Sequence, residues 1–156
     1  ILDFFAIFLA EYSGYFLIAG AIAIIFLENN WKKRFYYFSL ISLSVILSRG
    51  ILTELIRFFY FRPRPFLALD FVPLINKMNE GAFPSGHAAF FFALSLSVFL
   101  INKKWGQYFI GASILMGFAR VFVGVHWPLD ILGGIAVAYI SFYAIKFLSD
   151  KNFPKF

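Results

Sequence analysis

Only two histidines occur in the chain, and each stands in a setting suited to acid–base or nucleophilic work. His87 ends the run Pro84-Ser85-Gly86-His87, directly before the apolar stretch from Ala88 to Ile101. A turn that opens a helix gathers free N–H groups and the positive end of the helix dipole, which makes it a ready anion site. His126 precedes Asp130 by four residues, near the start of another apolar segment where Pro128 suits the first helical turn. At that spacing the carboxylate can hydrogen-bond to the imidazole and fix its tautomer. Three arginines accompany the histidines. Arg57 and Arg64 are seven residues apart and would share a face if one helix carried both, and Arg120 lies six residues before His126.

Guanidinium groups bind phosphate oxygens bidentately, so three arginines, the Ser85 hydroxyl and helix-start amides suit a phosphate. Two histidines beside them suit phosphoryl transfer. One, backed by an aspartate, attacks phosphorus, and the other gives a proton to the leaving oxygen. The arginines supply the positive field that Mg²⁺ supplies elsewhere, so no metal or other cofactor is demanded. Two histidines and an aspartate could instead hold a metal, but three neighbouring arginines would repel it. Taken singly the signals are modest. A Pro-Ser-Gly-His run can be a plain turn, an arginine pair at a helix end often anchors a membrane surface, and a histidine near a helix start is commonly a packed cap. The combination, in this order, is specific.

The elements that must position these residues are membrane helices. The chain is 62% hydrophobic and 14% charged, against about 25% charged in a typical soluble domain. A net charge of +6 could signal nucleic acid, but the basic residues sit in short loops or singly inside apolar runs, not in one stripe. The absence of cysteine excludes disulfides and thiolate metal sites and leaves the redox compartment open. The first apolar run lacks a basic leader and a small-residue cleavage site, so it reads as a span, not a cleaved signal. The chain does not open on Met, so Ile1 need not be the natural N-terminus.

Five apolar segments follow one another, at about 2–27, 35–61, 86–101, 105–123 and 127–148. The predicted fold is all-α, a single integral-membrane domain (1–156) of five transmembrane helices, or six if the piece before Tyr12 is separate. The stretch 62–84 is too polar to span and should fold over one membrane face, with a short helix near Val72–Met78. Lys32, Lys33 and Arg34, then Lys103 and Lys104, then Lys151 and Lys155 fall on one side of five spans. The positive-inside rule makes that side cytoplasmic and puts the loop 62–84 and the turn 120–126 on the extracytoplasmic face. Trp31 and Trp105 suit the inner aromatic belt and Trp127 the outer one. Inside the segments, Glu11 and Arg49 lie about 25 Å and 22 Å from the first loop at the helical rise. Their matching depths predict a Glu11–Arg49 pair, with Glu54 as the rival partner; alternatively Arg49 reaches into the site and touches a second phosphate.

The three groups resemble the tripartite motif of the type 2 phosphatidic acid phosphatase superfamily, which includes the vanadium haloperoxidases. Arg57 to Arg64-Pro65 matches the first motif with Arg in place of the usual Lys. Pro84 to His87 matches the second intact. Arg120, His126 and Asp130 match the third, with Ala119 where Ser is usual. The resemblance covers about half of the chain. It implies that His126 is the nucleophile and forms a phosphohistidine, that Asp130 orients it, and that His87 is the general acid and then the base that activates water. It further implies that Arg57, Arg64, Arg120, Ser85 and the Gly86 amide hold the phosphate without a metal. A membrane setting implies a lipid phosphate or diphosphate substrate, and the chain is similar to bacterial undecaprenyl-diphosphate phosphatases of the cytoplasmic membrane. Phosphatidic acid, phosphatidylglycerol phosphate and the 1-phosphate of lipid A are the alternative substrates. A non-catalytic lipid binder or flippase would not need both histidines, and haloperoxidase relatives are soluble and much longer.

Overall fold

The computed structural model describes residues 1–76 and 81–152, and its regular elements are all helices among the described residues. The N-terminal segment forms one continuous helix, α1 (Leu2–Leu27), so the piece before Tyr12 is not separate. A wide π-helical turn at Phe8–Tyr12 surrounds Glu11. Asn30 then accepts hydrogen bonds from the backbone N–H groups of Lys32 and Lys33, which starts α2 (Trp31–Phe59). Arg34 folds back to donate to the carbonyls of Phe26 and Glu28, which satisfies the C-terminal end of α1. A second π-helical turn, Ile46–Leu52, surrounds Arg49. Glu11 and Arg49 therefore both sit where the helix is widened, a local irregularity frequent at functional sites.

After α2 residues 60–64 lie outside regular elements, with Tyr60 and Arg64 extended. A single turn, α3 (Pro65–Ala68), is set off by Pro65 at its first position. The helix expected near Val72–Met78 does not form over 72–76, and the rest of that expectation lies outside the described residues. Pro73 keeps Val72 away from helical backbone angles, and the Leu74 N–H donates to the Val123 carbonyl at 3.2 Å, which ties this stretch to the end of α5 instead. The remaining helices are α4 (Gly86–Ile101), α5 (Lys103–Phe122) and α6 (Pro128–Asn152). Asn102 ends α4 and caps α5, accepting from the Trp105 N–H at 3.1 Å. α1, α2 and the span Pro128–Lys151 of α6 are long and apolar enough to cross a membrane, and α4 is a shorter apolar helix.

α4 is the central helix and packs against α1, α2, α5 and α6. Small residues permit this. Ser48 on α2 donates to the Ala89 carbonyl at 2.8 Å, and the Ser95 and Ser113 hydroxyls meet at 3.0 Å between α4 and α5. A Cβ at Gly134 of α6 would stand 2.6 Å from the Ser85 carbonyl oxygen, so α6 can reach the first turn of α4 only as glycine there. The distribution of polarity is inverted relative to a water-soluble domain. Arg64, Arg120, His126 and Asp130 are buried, while Phe16, Phe26, Phe58, Phe118 and Phe147 are exposed. Apolar side chains facing outward around polar groups facing inward is the pattern a lipid solvent demands, and the chain is an integral membrane protein.

Candidate active site

The three sequence groups converge because backbone hydrogen bonds stitch their segments together. The Ser85 N–H donates to the Asp130 carbonyl at 2.9 Å and the Ala82 N–H to the Arg62 carbonyl at 2.8 Å, while the Trp127 indole N–H reaches the Pro63 carbonyl at 3.0 Å. The loop 60–64, the start of α4 and the α5–α6 turn thus form one platform. Arg57 and Arg64 join it by a route other than the expected one. They do not share a helical face, because α2 stops at Phe59 and Tyr60 is extended at φ −136°. Pro63 and Pro65 explain the stop, since each keeps the residue before it out of the helical region. Arg57 at the end of α2 donates to the Pro84 carbonyl at 3.1 Å, and Arg64, beyond the turn, donates to the Val125 carbonyl at 3.1 Å.

Arg120 sits in the last turn of α5, 2% exposed, and donates to the Ala10 carbonyl at 3.0 Å in the wide turn of α1. Arg57, Arg64 and Glu11 all act on it electrostatically, so the three arginines gather around one point with one carboxylate nearby. Ser85 caps α4: its hydroxyl accepts from the Ala88 N–H at 3.4 Å. Gly86 and His87 make the first turn of α4, and His87 lines a cavity of about 230 Å³ together with Glu11, Arg49 and Gly86. His126 does not line that cavity and is only 2% exposed.

His126 lies in the turn before α6, with its Nδ1 3.4 Å from Asp130 Oδ2. Asp130 is the third residue of α6 and reaches back to accept from the Trp127 N–H at 2.8 Å, a capping-box arrangement that orients the carboxylate. Its other oxygen accepts from Arg62 at 2.9 Å, and the Arg62 guanidinium stacks 5.5 Å from the Trp127 ring centre. Arg62 is the member of the site that sequence reasoning missed. Its signal was the doubled Arg-Pro of Arg62-Pro63-Arg64-Pro65, in which only the second arginine was assigned. The Glu11–Arg49 pair is also corrected. Arg49 pairs with Glu54, the rival partner, because the widened turn of α2 brings these two together along one helix. Glu11 faces the same cavity as Arg49 without bonding to it.

Burial pushes the His126 pKa down to about 4, and the positive charges of Arg120 and Arg64 push the same way, against Asp130. The imidazole is therefore neutral at pH 7. Nδ1 faces Asp130 Oδ2 at 3.4 Å without completing a hydrogen bond, and a proton on Nδ1 leaves Nε2 its lone pair. The shift also fixes a sign for stability. Between about pH 6.5 and 4 the unfolded imidazole binds a proton that the folded one refuses, so stability falls as pH drops through that window and is level above it with respect to this group. Thermal melts in detergent should show wild type losing more stability than His126→Gln as pH falls from 6.5 to 4. Parallel slopes would contradict the neutral imidazole.

Residues 38–154 match the profile of the PAP2 superfamily. Undecaprenyl-diphosphatase BcrC of Bacillus subtilis is 32% identical over 156 residues, 99% of this chain and 78% of the relative. An undecaprenyl-diphosphatase of Sulfolobus acidocaldarius is 26% identical, over 96% of this chain and 72% of its own length. The crystal structure of Aquifex aeolicus LpxE superposes with a TM-score of 0.73 at 25% identity, covering 93% of this chain and 85% of that one.

Proposed function

The chain belongs to the PAP2 superfamily, and we propose that it is a single-domain hydrolase that removes phosphate from undecaprenyl diphosphate or a closely similar lipid phosphate, through a phosphohistidine on His126. The observation that carries this is a buried, neutral His126 backed by Asp130 and ringed by Arg64 and Arg120. Nε2 attacks the terminal phosphorus and the bond to the bridging oxygen breaks. His87 gives that oxygen its proton. His87 then takes a proton from water, which attacks phosphorus, and the N–P bond breaks to release inorganic phosphate and restore the imidazole. Arg57, Arg64, Arg120, the Ser85 hydroxyl and the Gly86 amide hold the equatorial oxygens, over which the negative charge of a loose transition state is spread. The guanidinium groups supply the charge stabilisation that a metal would otherwise give. Both named undecaprenyl-diphosphatases align along nearly all of this chain, which favours the isoprenoid diphosphate among lipid substrates. Five spans in the cytoplasmic membrane, with the lysine-rich loops inside, put the site on the extracytoplasmic face.

One set of assays tests the reading. Phosphate release is measured from undecaprenyl diphosphate, phosphatidic acid, phosphatidylglycerol phosphate and lipid A 1-phosphate, with and without EDTA. Release should be fastest from the isoprenoid diphosphate and indifferent to EDTA; turnover that EDTA abolishes overturns the metal-free mechanism. The chain has no cysteine, so single replacements report sidedness cleanly. Val72→Cys, in the exposed part of the site loop, should react with a membrane-impermeant maleimide on intact cells, and Lys33→Cys only after permeabilisation. The reverse pattern inverts the topology.

A further inference from the structure

We infer that Arg49 and the cavity beside His87 form a subsite for the second phosphate of a diphosphate substrate, the one that stays on the lipid. The inference rests on the phosphatase reading above and adds the part of the substrate it selects. Attack by His126 is in line with the leaving oxygen, so whatever that oxygen carries lies on the far side of the transferred phosphoryl group. His87, which protonates that oxygen, marks the side. The cavity of about 230 Å³ that His87 lines is therefore where the leaving fragment sits.

Arg49 is the arginine of that cavity. The arginines that act electrostatically on His126 are Arg120 and Arg64, so the charge at the nucleophile and the charge at the cavity come from different residues. Arg49 is also fitted to the first turn of α4. A Cβ on Gly86 would stand 2.5 Å from Arg49 Nε and 3.0 Å from its Cζ. The absence of a side chain at Gly86 lets the guanidinium lie against the same turn whose amide holds the transferred phosphoryl group. Nη1 is bonded to Glu54, which leaves the Nε edge turned toward α4. A guanidinium beside helix-start amides recognises a phosphate dianion by charge-assisted bonds. Glu11 lines the cavity as well, and its carboxylate acts electrostatically on Arg120.

In this arrangement bond making and breaking balance without a further reactant. The N–P bond to His126 forms and the terminal P–O bond breaks. The electron pair leaves on the bridging oxygen, His87 supplies its proton, and the lipid monophosphate departs from Arg49.

Farnesyl diphosphate and farnesyl monophosphate share a tail and differ only in the second phosphate, so they isolate the subsite. Arg49→Gln should lower the ratio of kcat/KM for diphosphate over monophosphate by roughly tenfold or more, the scale of one charged hydrogen bond. Arg49→Lys should restore part of it. Monophosphate turnover serves as the folding control. Glu54→Gln removes the ion pair but keeps Arg49, and should preserve the wild-type ratio. An unchanged ratio in Arg49→Gln, or an equal fall in Glu54→Gln, overturns the subsite and leaves Arg49 as a structural partner of Glu54. Wild type that hydrolyses the monophosphate alone also overturns it while the phosphatase reading stands. Wild type that releases phosphate from neither sinks the phosphatase reading itself.

Discussion

Replacing His126 by alanine should abolish phosphate release from lipid substrates, by on the order of 10⁴-fold or more, while the protein still folds and extracts from membranes as wild type does. The expectation follows from how little else in the site can attack phosphorus. There is no cysteine, and the buried Ser85 hydroxyl caps the start of α4, where it accepts from the Ala88 N–H with no base paired to it among the described residues. His87 lines the cavity instead, where the proposed mechanism gives it the leaving-group proton. His126 alone combines burial, a pKa held near 4 and a carboxylate on Nδ1, so that it meets substrate as a neutral imidazole with Nε2 available. The arginines remain in the variant and still bind phosphate, so KM should change far less than kcat. Rapid quench of wild type should trap an acid-labile, base-stable phosphoenzyme that His126→Ala lacks. A variant that keeps activity within tenfold of wild type would assign the nucleophile elsewhere, and a full lipid-binding function in it would favour the non-catalytic reading.

Much of this site was legible because its residues are grouped by element. Pro84 to His87 is a helix start by composition, and Ser85 caps α4 as that composition requires. His126 and Asp130 were placed near a helix start by Pro128, and α6 begins there. The five apolar segments correspond to the helices α1, α2, α4, α5 and α6. What the sequence hid were contacts decided by departures from ideal helices. Matching depths favoured Glu11 for Arg49, but depth along an axis says nothing about the widened turn at Ile46–Leu52, which brings Glu54 within reach. Periodicity would put Arg57 and Arg64 on one face only if one helix carried both, and the helix ends at Phe59, so they converge through a bend. Arg62 was passed over because its partner lies 68 residues away, and only the closed platform shows that Asp130 needs it.

Asp130→Asn should cost about 10³–10⁴-fold in kcat with little loss of folding, because an amide can fill the site but cannot serve all of its partners. Asp130 is fully buried, and its two oxygens accept from Arg62 at 2.9 Å and from the Trp127 N–H at 2.8 Å, with His126 Nδ1 at 3.4 Å beside the second oxygen. Asparagine has one acceptor oxygen. If that oxygen stays with Arg62, the amide NH₂ faces the Trp127 N–H and His126 Nδ1, so Nδ1 must accept and the imidazole proton moves to Nε2. The nucleophilic nitrogen is then capped by its own proton. If the oxygen turns to Trp127, the NH₂ faces the Arg62 guanidinium, and the loop that carries Arg64 loses its tie to α6. Either orientation also removes the negative charge that favours the cationic phosphohistidine. Arg62→Lys distinguishes the two effects, since it keeps the charge near Asp130 and leaves the tautomer intact. It should lose far less activity than Asp130→Asn. Nitrogen-15 chemical shifts of labelled His126 should report a proton on Nδ1 in wild type and on Nε2 in Asp130→Asn. An unchanged tautomer together with wild-type kcat in Asp130→Asn would remove Asp130 from the mechanism and leave it only its cap on α6.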